Sequence, residues 1–159
     1  MTDPDLLAPF VPRRGRAVAM TMAVLAVLLF TAFAFLAPHP SRGGSYGIGD
    51  RIAIIGIGAV IAGFLWRYVG IKAVPDEDGI LVRNLIQSRR VPWREVEAVR
   101  FHGGAAWPVL ALHDGDEVAV MAVQKADGGL AGTESTRLAT LVARGGGGTP
   151  DPDAADPYL

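Results

Sequence analysis

One stretch limits what this chain can become more than any other: Ala17 to Ala37, AVAMTMAVLAVLLFTAFAFLA, is 21 residues long and carries no charge. At about 1.5 Å per residue a helix of that length covers a hydrocarbon layer of roughly 30 Å. As a core helix of a water-soluble fold it would need apolar partners on every side. The chain has 159 residues and is 50% hydrophobic, but its apolar weight lies before position 70, and the remainder is enough for only one small core. A membrane span is the expectation. The basic lead and Ala32-Phe33-Ala34 also outline a cleaved secretory signal, yet the apolar run continues through Phe35, Leu36 and Ala37, and Arg13-Arg14 lacks the rest of a twin-arginine pattern.

A second apolar run, Ile52 to Trp66, has 15 uncharged residues, about 22 Å of helix. Arg51 and Arg67 can snorkel toward headgroups and Trp66 and Tyr68 supply interfacial rings, which extends the expected span to residues 48–69. Gly56, Gly58 and Gly63 offer flat surfaces for close packing against the first helix. Between the spans, Pro38 to Asp50 has loop composition, so residues 17–69 read as an antiparallel hairpin. Arg13, Arg14 and Arg16 precede it and Arg67 and Lys72 follow, against Arg42 and the boundary Arg51 in the loop. That bias predicts a multi-pass protein of the plasma membrane with both termini cytoplasmic, residues 1–16 forming a basic lead segment.

Cysteine is absent, which removes disulfides, thiol nucleophiles and Cys-based metal sites. The net charge of −1 gives no global attraction to nucleic acid. His102 and His113 are too few for a metal site, and no phosphate loop, HExxH helix or supported Ser-His-Asp pattern is present. The expectation is a protein with no catalytic centre and no cofactor.

Past Gly70 the pattern changes to short alternating runs between turn residues, the mark of half-buried strands. Strands are predicted at about 71–74, 80–84, 87–92, 98–102, 107–113 and 117–122, with Ile80 and Val82 on one face and Leu81 and Arg83 on the other. Asp78-Gly79 and Asp114-Gly115 read as turns, the second of them a two-residue hairpin turn. Thr133 to Arg144 reads as an amphipathic helix capped by Thr133 or Ser135, with Leu138, Leu141 and Val142 on one face. Residues 70–144 thus form a mostly β domain, and residues 145–159, opening with Gly145 to Gly148, read as a linker-like acidic tail.

A two-helix hairpin followed by strands and a closing helix, with Asp78-Gly79, Val82-Arg83, Arg90-Val91-Pro92-Trp93, Val99-Arg100-Phe101 and Asp114-Gly115 in order, resembles the bacterial PH-like proteins of the actinobacterial low molecular weight protein antigen 6 type. The terminal Asp156-Pro157-Tyr158 looks like that family's ending. The resemblance covers about residues 17–125 and implies a bent antiparallel sheet or partial barrel closed by a C-terminal helix. PH architecture implies seven strands where six are legible, so either residues 123–126 continue a strand or the barrel is abbreviated. The first hairpin loop, Asp76-Glu77-Asp78, is acidic where phosphoinositide-binding PH domains carry a basic one.

Arg83, Arg89, Arg90 and Arg94 form the sharpest local cluster. They are the expected contacts for anionic headgroups or a partner, against the simpler reading of a solvated strand face paired with Glu95 and Glu97. Trp93 after a Pro-ended strand is expected to plug the core. The chain therefore reads as a binding or scaffolding module at the cytoplasmic membrane face, with the bilayer and an unidentified protein as partners and a homo-oligomer left open. The alternative is an accessory subunit whose helices make the main contacts.

Overall fold

The computed structural model describes residues 6–36, 47–101 and 104–148. They divide into two compact units: residues 16–69, and residues 1–15 together with 70–159. The first holds two helices, α1 (Arg13–Leu36), apart from its first three residues, which fall in the second unit, and α2 (Ile48–Val69). Both are uninterrupted by charge through their middles and long enough to cross a membrane. Their large side chains face outward: Leu28, Leu29, Phe33, Val60 and Phe64 are all more than half exposed. The buried faces are small. Ala19, Ala23 and Ala34 of α1 and Gly58 of α2 are the positions that pack. A Cβ built on Gly58 would lie 2.7 Å from Phe30 Cβ, so the helices meet there. Gly56 and Gly63, also expected at that contact, face open space. Arg51 stands 5.4 Å over the Phe35 ring.

The second unit is built on six strands: β1 (Lys72–Pro75), β2 (Gly79–Arg83), β3 (Ser88–Pro92), β4 (Val96–Arg100), β5 (Val109–Leu112) and β6 (Glu117–Ala119). They form two antiparallel three-stranded sheets in the orders β1-β2-β3 and β4-β5-β6. Alternation sets the faces as expected: Ile80, Val82 and Val91 are fully buried, while Leu81, Arg83 and Arg90 point out. All six predicted strands are recovered: β1, β2 and β4 keep the predicted length, shifted by one or two residues, while β3, β5 and β6 are shorter by one to three. Residues 123–126 do not continue β6. Val123 lies in a bend and Lys125–Asp127 form a short 3₁₀ helix, so the described residues hold six strands and not the seven of PH architecture.

The closing helix α3 (Gly129–Arg144) starts a turn earlier than Thr133, and neither Thr133 nor Ser135 caps it. Gly128 precedes it, and its carbonyl accepts the Ala131 N–H at 2.8 Å. The apolar face is the predicted one, with Leu138, Leu141 and Val142 buried. Gly145 to Gly148 do more than stop the helix. The Gly147 N–H donates to Val142 and the Gly148 N–H to Val96, each at 2.9 Å, so these glycines lie packed against α3 and β4 instead of trailing as a linker. The rest of the expected tail, residues 149–159, lies outside the described residues.

Residues 6–15, within the basic lead segment, pack with the domain. The Phe10 N–H donates to the Ala73 carbonyl at 2.8 Å and the Ala73 N–H returns to Phe10 at 3.0 Å, adding one antiparallel bridge to the open edge of β1. Phe10 is 1% exposed. The Arg137 guanidinium stacks 3.8 Å above its ring and donates to the Ala8 carbonyl at 2.9 Å, while Glu134 pairs with the same arginine. The sheet edge and the middle of α3 hold the segment between them.

Candidate functional site

Three strand-end residues build the frame around the candidate arginines. Trp93 is 2% exposed, and its indole N–H donates to the Asp76 carbonyl at 2.9 Å while its backbone N–H donates to Asp78 at 3.0 Å. The expected core plug is therefore also the clasp that pins the β1–β2 loop. Asp76 folds that loop on itself: its Oδ1 accepts the N–H groups of Asp78 and Gly79 at 3.1 and 2.9 Å. Asn84, at the other end of β2, reaches across to the second sheet, donating to the Ala119 carbonyl at 2.7 Å and accepting the Met121 N–H at 3.3 Å.

Within twelve positions of one another in sequence, the four arginines take different surroundings, and only Arg90 and Arg94 share a cleft. Arg83 lies on the outer face of β2, opposite Lys72 of β1 and Ser88 of β3. Arg89 leaves β3 toward the β5–β6 turn, where it donates to Asp116 Oδ2 at 2.8 Å and lies 3.8 Å from Asp114. The Asp116 hydrogen bond, then the charges of Asp116, Asp114 and Glu95, outweigh the small cost of desolvation and hold this guanidinium above its ordinary pKa. Arg90, on the outer face, bonds Asp76 Oδ2 at 2.8 Å. Arg94 sits exposed on the short 3₁₀ helix Trp93–Glu95.

Arg90 and Arg94 line a polar cleft of about 480 Å³ with Glu77, Asp78, Pro92 and Gly145. Two arginines and two carboxylates are thus part of its lining. This balance disfavours a polyphosphate headgroup, which the acidic loop would repel, and suits a ligand that carries both donors and acceptors. The acids that pair with the arginines are Asp76, Asp114 and Asp116 and not the sequence neighbours Glu95 and Glu97. The tertiary fold decides this: Asp76 lies 14 positions before Arg90 in the β1–β2 loop, and Asp114 and Asp116 lie 25 and 27 positions after Arg89 on the turn of the other sheet. Asp114 also accepts the Asp116 N–H at 2.9 Å within a turn of three residues, His113 to Gly115, and not the expected two: Ala111 pairs with Glu117, Leu112 donates to Asp116, and Gly115 has a positive φ while Asp114 does not. Trp107 is half-buried and His113 exposed, and His102 lies outside the described residues.

One buried acid carried no signal in the sequence. Asp127, 8% exposed, accepts the backbone N–H of Arg13 at 3.2 Å and of Arg14 at 2.8 Å, the first two residues of α1. Phe10-Val11-Pro12 offers no local capping side chain and the first turn of α1 holds no acid, so the orphan N–H groups take a carboxylate from more than 110 residues away. The missing local cap was the only available hint.

Comparison with known proteins agrees with this architecture. A family model described as Bacterial PH domain matches residues 73–140. An uncharacterized protein of Mycobacterium tuberculosis is 31% identical over 126 residues, covering 79% of this chain and 82% of that protein, and its Mycobacterium bovis counterpart matches equally. Low molecular weight protein antigen 6 of Mycobacterium tuberculosis is 38% identical over 55 residues, 35% of this chain and 48% of that protein. No solved structure matches. Two apolar helices, two three-stranded antiparallel sheets and a closing helix accompany these matches, and the chain belongs to the bacterial PH domain family.

Proposed function

We propose that this protein is a non-enzymatic, membrane-anchored PH-like module that binds or scaffolds a partner at the cytoplasmic membrane face. The observation that carries this is the outward display of large apolar side chains along both helices, Leu29 at 65% and Phe64 at 61% exposure, in a chain whose remaining residues form a PH-like domain. In water such faces would be costly, whereas in hydrocarbon they are at home. The cleft of Arg90, Arg94, Glu77 and Asp78 supports a protein ligand better than a polyanionic lipid pocket.

Alkaline carbonate extraction tests the anchoring: the chain is expected in the membrane pellet, and release into the supernatant would refute it. The chain has no cysteine, so single-cysteine variants report topology cleanly. An impermeant maleimide applied to intact cells should label Ser41→Cys, and should label Lys125→Cys only after lysis. A second reading, an accessory subunit of a larger membrane complex, is favoured by an apolar groove of about 570 Å³ between α1 and α2, lined by Ala23, Val27, Ala62, Gly63 and Trp66 among others.

A further inference from the structure

The β1-β2-β3 sheet breaks a local rule at one corner. Lys72 and Arg83 are directly opposed across the β1–β2 ladder, and Ser88 completes the row on β3. Like charges in that position destabilise a sheet. Both side chains are exposed, and among the described residues neither forms an ion pair that would offset the repulsion. The outward positions of these three strands hold no carboxylate.

The β2–β3 turn beside that row presents Ile86 at 81% exposure, with Leu85 half-buried behind it. Within the described part of the domain unit, the exposed large apolar residues are Val11, Leu81, Ile86 and Leu130. Leu81 lies on the same outer face, two residues before Arg83. An apolar tip flanked by uncompensated cations is the composition of a surface that enters the headgroup layer of an anionic membrane. Chain connectivity points to the same occupant: Lys72 follows Val69, the last residue of α2, by three residues, which can span at most about 10 Å.

We infer that the corner formed by Lys72, Arg83 and Ile86 docks on the anionic surface of the bilayer, Ile86 entering the interface and the two cations meeting lipid phosphates. This rests on the membrane-anchored reading. The site differs from the mixed-charge cleft, which stays open for a protein ligand.

The test uses the full chain reconstituted in phosphatidylcholine bilayers with and without phosphatidylglycerol, carrying a nitroxide at Ile86→Cys or, in the β1–β2 loop at the other end of β2, at Glu77→Cys. With phosphatidylglycerol present, the Ile86 label is expected to gain collisions with oxygen and lose collisions with an aqueous nickel chelate, while the Glu77 label stays aqueous. Lys72→Glu and Arg83→Glu should each lower the docked fraction's equilibrium by about fivefold or more, and high salt should do the same. An Ile86 label as aqueous as the Glu77 label in both lipids overturns the proposal, as does protection that ignores lipid charge and both reversals. Protection that appears in detergent, or only with added protein, assigns the corner to a protein contact and overturns it too. Carbonate extraction of the same samples separates the failures: a chain that stays in the pellet with an aqueous Ile86 leaves the anchoring intact.

Discussion

Gly79 and Phe10 show how much single residues decide here. Asp78-Gly79 reads in the sequence as a turn that needs a flexible backbone, but Gly79 does not adopt a positive φ as Gly115 does at +86°. It is glycine because β3 passes too close: a Cβ would lie 2.4 Å from the Val91 carbonyl oxygen and 2.9 Å from Pro92 Cα. Gly79→Ala must spread β2 from β3, and we expect a loss of roughly 1–3 kcal/mol in denaturant unfolding of the domain followed by tryptophan fluorescence. Phe10 is invisible as a core residue because no periodic pattern surrounds it, yet it is as buried as Ile80 or Leu110. Phe10→Ala should cost about 3–5 kcal/mol by the same measurement, and Arg137→Ala less, since it removes the stacked cation and leaves the ring in place.

At the scale of elements, the helix ends and helix contacts are where local patterns and tertiary contacts diverge. α1 begins on a cap that belongs to the other end of the chain. Asp127→Ala should cost about 0.5–2 kcal/mol and speed hydrogen exchange at the Arg13 and Arg14 amides, with little effect on amides in the middle of α1. In the hairpin, three glycines of α2 look equivalent in sequence, but only Gly58 meets the first helix. Gly58→Leu is expected to lower the thermal midpoint of the detergent-solubilised protein by several degrees or to separate the helices, whereas Gly63→Leu, with nothing within 4 Å of its Cβ, should be close to neutral. The strands, by contrast, follow their period-2 alternation closely, because each sheet has one buried face and a register slip would expose it.

For the whole molecule, the two apolar helices, the switch to strands after Gly70, the Asp114-Gly115 hairpin and the apolar face of α3 were all determined by the sequence itself. Each depends on residues within a few positions of one another: an uncharged run, an alternation, a residue able to take φ > 0. The same local reading grouped Arg83, Arg89, Arg90 and Arg94 into one basic patch. Strand register and the packing of the two sheets divided them, giving Arg89 to Asp116, Arg90 to Asp76 and the cleft it shares with Arg94, and Arg83 to a repulsive row with Lys72. The tertiary structure alone decided that residues 6–15 belong with the domain, that Asp127 caps α1 and that Gly145 to Gly148 pack against β4. These contacts join distant parts of the chain, so their free energy comes from burial and hydrogen-bond satisfaction that no short window of sequence displays.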